Sequence, residues 1–496
     1  MSEEEIFDLV IIGTGPGGYH SALRAGQYDA KVAVIEKDKV GGTCSNWGCI
    51  PTKALFASAK LLEDIEEQAE KFGITIEGGI KPNFAQAVNR KNEVVDSLVS
   101  GIEGLLGTRK IPIYRGFGKV EGGSIESGFD VSSTDKDGNK TMLKAKRVIV
   151  ATGSTPALIP AFNIDHDKIL TSDDILAPEF KTLPEKMLII GAGVIGCEFA
   201  NIFANFGVQV EMLEYLPTML ATEEKHVIRQ LKKKFKKLGI KVHTNQNVLD
   251  VENTGSGVKA TTVSAKTPKD EIETAEKSTF EADLCLVSIG PAKVSSDLGL
   301  EALGVKLERG QIGVNRDTCE TAVKGIYAIG DVTGGLMLAH VASHEGDVAV
   351  ENALASIGGF DVHPRKPSYS VVPYTIFTSP NIGSVGLREK AAKEKYEKVY
   401  TGRFFYGSLG KAKCMGEEDG FMMIVVDAES DQIVGATCIG AEAPELISEV
   451  AVAMAHGITA HELGHVIHSH PTISEMVLET VEDVHGMAIH KVGRRK

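Results

Sequence analysis

The sequence predicts an α/β protein built of two units of similar plan, the second inserted in the first, followed by a separate C-terminal α+β domain. Three observations carry this prediction. A strand, glycine turn, helix and second strand occur twice with the same internal spacing. An apolar run at Tyr327-Ala328-Ile329-Gly330-Asp331 reads as a late strand returning to the first unit. Beyond about residue 361 the pattern changes, with strand-like runs and an amphipathic helix. The boundaries drawn from this are 1–155, 156–285, 286–360 and 361–496, the third stretch completing the first unit.

In the first unit, Phe7–Ile12 is an apolar run that meets Gly13-Thr14-Gly15-Pro16-Gly17-Gly18. A helical stretch follows, then Val32–Ile35 ending in Glu36. In the second, Met187–Ile190 meets Gly191-Ala192-Gly193-Val194-Ile195-Gly196. A helix through Phe206 follows, then Val208–Leu213 ending in Glu214. The acid stands 23 residues after the first glycine in both copies. Each copy continues into short strand-like runs, Ile113–Val120 and Gly128–Ser132 in one, Val248–Val251 and Gly257–Val263 in the other. Each closes on an apolar strand and a glycine, Val148–Gly153 and Leu284–Gly290.

A lone G-x-G-x-x-G says little, but two copies set between strand and helix, each with an acid at the end of the next strand, have a physical reading. The first glycine permits a tight turn, the second lets backbone approach a pyrophosphate, and the third lets the helix pack on the strand. The helix N-terminus offers free N–H groups and partial positive charge to an anion. Glu36 and Glu214 then accept from ribose hydroxyls. Glu214 is followed by Tyr215 with no nearby Arg in that turn, and its carboxylate repels a 2′-phosphate, which favours NAD over NADP. Both units are therefore expected to be Rossmann-like.

Past residue 361, Val371–Phe377 and Phe421–Val426 read as strands and Ala443–His456 as a helix. Ile228, Leu231, Phe235 and Leu238 fall at helical spacing among lysines 232–234, 236 and 237, which reads as a solvated helix face. The net charge of −14 disfavours a nucleic-acid partner. No apolar run is long enough to span a membrane, and no secretory signal is visible at the acidic start, so a cytoplasmic location is expected.

The 7 cysteines are too sparse for a disulfide scaffold. Five are scattered and read as inert. Cys44 and Cys49 are close together in Gly41-Gly42-Thr43-Cys44-Ser45-Asn46-Trp47-Gly48-Cys49-Ile50-Pro51-Thr52-Lys53. They could bridge if the local helix is distorted, which Gly48 would ease. Half of a zinc site and a pair of inert thiols are the rival readings, the former lacking a second ligand pair at suitable spacing. His461-Glu462-Leu463-Gly464-His465 matches H-E-x-x-H, but Gly464 weakens a helix there and no third ligand stands at a familiar spacing, so it reads as a surface turn and no metal is expected.

The cysteine segment resembles the G-G-T-C-x-N-x-G-C-I-P-[ST]-K redox box of the pyridine nucleotide–disulfide oxidoreductases, and the likeness covers nearly the whole chain. The resemblance implies a flavoprotein with an FAD-binding domain at 1–155, an NAD-binding domain at 156–285, a central domain at 286–360 and an interface domain at 361–496 that makes a homodimer. It implies that Cys44 exchanges with substrate, that Cys49 is a charge-transfer thiolate packed on the flavin, and that Lys53 pairs with Glu198. Flavin contacts carried over by motif are Gly13, Gly15, Pro16, Gly18, Glu36, Lys37, Gly42, Thr43, Lys53 and Gly118. Further ones are Thr152-Gly153-Ser154, Gly330-Asp331 and Met337-Leu338-Ala339-His340. Those for NAD are Gly191, Gly193, Val194, Ile195, Gly196, Glu198, Glu214 and Gly290.

Near the C-terminus, His468-Ser469-His470-Pro471-Thr472-Ile473-Ser474-Glu475 resembles the H-x-H-P-T-x-S-E signature of the same enzymes. By that likeness His470 is the acid/base, Glu475 orients it, and the pair serves Cys44 of the partner subunit. Ile50-Pro51-Thr52-Lys53 favours the lipoamide-specific members. These oxidise protein-bound dihydrolipoamide with NAD+, so the expected partners are the lipoyl domains and core of a 2-oxoacid dehydrogenase or glycine cleavage complex. The tail from Ile489 to Lys496 lacks the cysteine pair of mercuric reductases. Two segments depart from the family pattern, Pro291-Ala292-Lys293 and Tyr406–Lys413. A non-catalytic scaffold subunit is the reading from a different class, and the intact Cys44, Cys49, His470 and Glu475 oppose it.

Overall fold

The computed structural model describes residues 5–492; the acidic start at 1–4 and the end of the tail at 493–496 lie outside the described residues. The first unit is a seven-stranded sheet. Its parallel part runs Ile113–Arg115, Val32–Glu36, Ile6–Ile12 and Lys140–Val150, and Ile326–Ala328 adds in parallel beside residues 148–150. The late strand at 326–328 is thus the chain's return to the first sheet. Lys140–Val150 is long enough to pair along its first half with Gly128–Thr134, which continues antiparallel to Phe117–Ser124. The expected strand Ile113–Val120 is broken at Gly116, where a side chain would meet the Thr134 carbonyl at 2.5 Å.

The second unit is an all-parallel sheet in the order Lys241–Thr244, Gln209–Glu214, Lys186–Ile190, Leu284–Val287, Ile169–Leu170. Its central strands, Lys186–Ile190 and Leu284–Val287, are near-continuous apolar runs because both faces are covered there. Leu284–Val287 spans the boundary expected at 285, so this unit runs to Val287. A three-stranded antiparallel sheet, Gln246–Asn253, Val258–Ser264 and Ser278–Ala282, stands beside it. Entry and exit of the inserted unit lie side by side, because Ser154–Pro156 pairs with Pro291–Lys293. The departing segment Pro291-Ala292-Lys293 is therefore one strand of this two-stranded crossing.

The two glycine turns have the same local cause. Gly13 takes φ +98° and Gly191 φ +101°. A Cβ on Gly18 would stand 1.9 Å from the Gly13 carbonyl, and one on Gly196 2.1 Å from that of Gly191. The helices Pro16–Gln27 and Val194–Asn205 can approach their strands only without side chains there. Both helix N-termini thus open at the C-terminal ends of central strands, where doubly wound sheets bind ligands.

The last part is a five-stranded antiparallel sheet ordered Tyr374–Ile376, Asn381–Gly386, Ile433–Gly440, Phe421–Asp427, Val399–Phe405. The helices Ala443–Ala455 and Glu475–Val484 share its buried core through Leu446, Ile447, Val450, Met476, Val477 and Val481. The lysine-rich helix Lys225–Lys237 buries Val227, Ile228, Leu231 and Phe235. Its Lys234 pairs with Glu63 and, at 3.1 Å, with Glu67, on the helix Cys49–Gln68. No helix among the described residues is long and apolar enough to cross a membrane.

Candidate active site

The cysteine segment folds as two helices with a break. Gly42–Asn46 is one short turn, and Cys49–Gln68 is a long helix whose Leu55, Phe56, Ala59 and Leu62 face the core. Between them Gly48 takes φ −149° and ψ −107°, and a side chain there would crowd the Thr43 carbonyl at 3.2 Å. That break brings Cys44 onto Cys49. Both are free thiols, and the hydrogen bond between their side chains is the largest influence on the pKa of each. Cys44 is the donor, which holds its proton on and pushes its pKa up. The Cys49 thiol is pulled down to about 7, first by that hydrogen bond and then, against the cost of burial, by the nearby Lys53 ammonium. The negative charge of the reduced pair thus resides on Cys49.

Lys53 is one turn further along the same helix. Its Nζ donates to both carboxylate oxygens of Glu198, at 2.8 and 3.0 Å, and stands 4.7 Å from the centre of the Phe377 ring. Glu198 is buried in the helix that follows the second glycine turn, and also accepts from the Phe377 amide at 2.9 Å. One ion pair therefore joins the cysteine helix, the second unit and the C-terminal domain. Replacing Lys53 with Met removes the cation that favours the Cys49 thiolate. The midpoint for thiolate formation in the reduced protein should then rise from about 7 by about one pH unit or more. Thiolate absorbance followed against pH measures it, and an unmoved midpoint would contradict the electrostatic account.

Both cysteines open into a cavity of about 590 Å³, within the usual range for small-molecule sites. Its lining includes Gly13, Gly15, Pro16, Glu36, Lys37, Gly42, Thr43, Gly118, Thr152, Gly153, Ser154, Gly330, Asp331, Met337 and Ala339, which are expected flavin contacts. Four others do not line it. Gly18 is spent on helix packing, Lys53 faces Glu198, Leu338 is the extended residue just before the helix Ala339–Ile357, and His340 bonds the Pro373 carbonyl at 3.0 Å. The lining suits a dinucleotide. A Cβ on Gly15 would meet nothing within 4 Å, and the helix Pro16–Gln27 begins with no side-chain cap, so its first N–H groups are open to an anion. Glu36 is already oriented, accepting from Thr14 N (2.8 Å), Thr14 Oγ1 (2.6 Å) and Asp38 N (2.9 Å). Asp331 is held by the Ser154 hydroxyl at 2.6 Å.

The second turn repeats this. Gly193 has open space where a Cβ would be, the helix Val194–Asn205 is uncapped by any side chain, and Ile195 is exposed. Glu214 accepts from Ala192 N (2.6 Å) and Leu216 N (2.7 Å). Gly290 takes φ +109° at the mouth of this unit.

His470 and Glu475 are joined, with Nδ1 of the ring 2.8 Å from Glu475 Oε1, while Glu475 Oε2 accepts from the Thr472 amide at 3.0 Å. Burial raises the Glu475 pKa, but the hydrogen bonds from His470 and Thr472 outweigh it and hold the carboxyl below its ordinary value. The His470 ring is 76% exposed and does not line the cavity that holds Cys44 of its own chain. His468 is instead tucked in, bonding Glu449 at 2.8 Å. The H-E-x-x-H stretch forms a short helix, Ala460–Gly464, rather than the expected bare turn. Its Glu462 is used in a capping box with Thr459. Among the described residues no group of three or more His, Cys, Asp or Glu could hold a metal ion.

Sequence reading missed part of the wall. Asp173 and Asp174 line the cavity from the short helix Ser172–Leu176, and burial pushes the Asp173 carboxyl up to about 6. The Thr171–Asp174 capping box was a visible helix-start signal, but nothing local says that this helix faces the first unit. Trp47, Phe117 and Val294 also line the cavity, and Val294 accepts from the Thr152 hydroxyl at 2.5 Å.

Paired thiols beside a dinucleotide-shaped cavity, with a second such turn near by, define a class, and comparison with known proteins agrees. The profile described as pyridine nucleotide-disulphide oxidoreductase matches residues 7–346, and that of the dimerisation domain of the same family matches 372–481. The chain belongs to the pyridine nucleotide–disulphide oxidoreductase family. It is 41% identical to the dihydrolipoyl dehydrogenase of Bacillus subtilis (strain 168), over 98% of this chain and 99% of that protein. It is 39% identical to the dihydrolipoyl dehydrogenase of Chlorobaculum tepidum, over 96% and 97%. Among solved structures, LpdA from Mycobacterium tuberculosis superposes with a TM-score of 0.86 at 28% identity, covering 96% of this chain and 98% of that one.

Proposed function

We propose that the protein oxidises a protein-bound dihydrolipoyl group to its cyclic disulfide and passes the two electrons to NAD+ by way of FAD, with Cys44 and Cys49 as the intermediate couple. The observation that carries this reading is the contact of Cys44 with Cys49 on the wall of a cavity fitted for a flavin dinucleotide. Full-length similarity to dihydrolipoyl dehydrogenases supports the substrate.

The Gly13–Pro16 turn, Glu36, Thr43, Ser154 and Asp331 would hold FAD, and Gly193, Ile195 and Glu214 would hold NAD. FAD held there would supply the two-electron carrier between the cysteine couple and NAD+. The chain's own side chains do the sulfur chemistry. The oxidised couple is a Cys44–Cys49 disulfide. His470 takes the proton of one substrate thiol at Nε2, since Nδ1 is held by Glu475. The thiolate attacks Cys44 Sγ, the Cys44–Cys49 bond breaks, and Cys49 leaves as a thiolate stabilised by Lys53. The second substrate thiol then displaces Cys44 and closes the lipoyl ring, its proton passing to the departing Cys44 sulfur to leave a thiol, while the first proton stays on His470 until it is released to solvent. Two substrate thiols are oxidised and one protein disulfide is reduced.

The exposed His470, absent from the cavity that holds its own chain's cysteines, acts in this reading on Cys44 of a second copy. The match of 372–481 to a dimerisation domain supports a homodimer. The physiological partners are the lipoyl domains and core of a 2-oxoacid dehydrogenase or glycine cleavage complex. A substrate panel tests the reading: dihydrolipoamide and glutathione disulfide, each with NAD(H) and NADP(H). Dihydrolipoamide with NAD+ is expected to turn over fastest. Preference for glutathione disulfide with NADPH would overturn it.

A further inference from the structure

Glu345 lies on the helix Ala339–Ile357, behind the Gly330–Thr333 turn, and only 3% of it is exposed. It is no part of the redox couple or of the cavity lining. A buried carboxylate is tolerated when its oxygens are satisfied, and each oxygen of Glu345 has a specific donor. Oε2 accepts from the Gly330 amide at 2.7 Å, and Oε1 accepts from the Tyr369 hydroxyl at 2.7 Å, with Arg316 Nη1 3.7 Å away. Arg316 also donates to the Thr333 carbonyl at 2.6 Å, and the Thr333 hydroxyl donates to the Gly330 carbonyl at 2.9 Å. Both backbone polar groups of Gly330 are thus held, its N–H by Glu345 and its carbonyl by Thr333.

That turn needs holding. Gly330 sits at φ +72°, and the next residue, Asp331, enters the cavity and is fixed there by Ser154. Tyr369 links the same carboxylate to a segment that crosses the helix Ala339–Ile357. Ser368 N donates to His344 Nε2 at 3.1 Å, the Pro373 carbonyl meets His340, and the Phe377 amide then reaches Glu198. One buried carboxylate therefore connects the turn bearing Asp331 with the strap that ends on the Lys53–Glu198 pair.

We propose that Glu345 is a positioning residue for the flavin: by accepting the Gly330 amide it fixes the backbone that aims Asp331 at the bound dinucleotide. The proposal rests on the assignment of the cavity to FAD. It requires an acceptor at Glu345 in reach of Gly330, not a negative charge. Glu345→Gln keeps a carbonyl for Gly330 and can donate its amide to the Tyr369 oxygen, whereas Glu345→Leu leaves the Gly330 amide buried without a partner.

Release of FAD from the holoenzyme, followed as flavin fluorescence after dilution, tests this, with the flavin midpoint potential measured alongside. Glu345→Leu is expected to release FAD about tenfold faster or more and to shift the potential, while Glu345→Gln stays within about twofold of the unaltered protein. Unchanged release from Glu345→Leu, or equally fast release from both variants, would overturn the proposal. Should Glu345→Leu not fold, Glu345→Asp takes its place. It keeps the charge but withdraws the acceptor by one methylene, so release is again expected to rise, and a wild-type rate overturns the proposal. Unaltered protein purified and reconstituted without taking up FAD would overturn the flavin assignment itself, a separate result.

Discussion

Cys44→Ser protein is expected to bind FAD as the unaltered protein does and to oxidise no measurable dihydrolipoamide. Cys44 lines the cavity but stands on the short turn Gly42–Asn46, and serine fits the same space, so binding is spared. What is lost is the sulfur that a substrate thiolate attacks. A hydroxyl can neither form the disulfide nor leave as a thiolate. The serine hydroxyl can still donate to Cys49 in place of the thiol, so the thiolate-forming residue keeps its partner while the attacked sulfur is gone. Steady-state assay with dihydrolipoamide and NAD+, beside the flavin absorbance spectrum, checks both halves. Full turnover would falsify the role given to Cys44.

His470→Ala is expected to lower dithiol oxidation by about two or more orders of magnitude, the usual worth of a positioned general base. Hydride exchange between NADH and a nicotinamide analogue, which needs no thiol deprotonation, is expected to continue. The exposed ring, absent from its own chain's cavity, adds a sharper expectation. If each His470 serves the other subunit, a dimer of one Cys44→Ser chain and one His470→Ala chain contains one intact site. Co-expression of the two inactive variants should then restore roughly a quarter of full activity, from random pairing in a symmetric dimer. Absence of any restored activity in verified mixed dimers would place the base in the same chain as its cysteines.

The site was legible in the sequence wherever a local rule governs it. The Gly13–Gly18 and Gly191–Gly196 turns are dictated by close backbone approach, which only glycine allows, so the residues announce the geometry. The Cys44–Cys49 contact follows from a helix broken at Gly48. His470 and Glu475 are five residues apart and meet across a tight turn. What could not be read depends on tertiary contact. The expected strand Val371–Phe377 shortens to Tyr374–Ile376 because Pro373 has no N–H to give to a ladder and its carbonyl is taken by His340 of the helix Ala339–Ile357. Glu345 and Asp173 carry no local mark of their roles, since a buried carboxylate looks like any surface acid until the fold encloses it. The His340 ring bonds the Pro373 carbonyl, a tertiary contact that its motif does not announce.

The central claim is that the cysteine pair itself receives the substrate's electrons. Adding one equivalent of dihydrolipoamide to the air-oxidised protein without NAD+ and without oxygen, then alkylating and locating labelled cysteines by mass spectrometry, tests it directly. Label is expected on Cys44 and Cys49 only after substrate is added, and subsequent NAD+ before alkylation should erase it. A protein whose flavin is reduced by dihydrolipoamide while Cys44 and Cys49 gain no label would contradict the account.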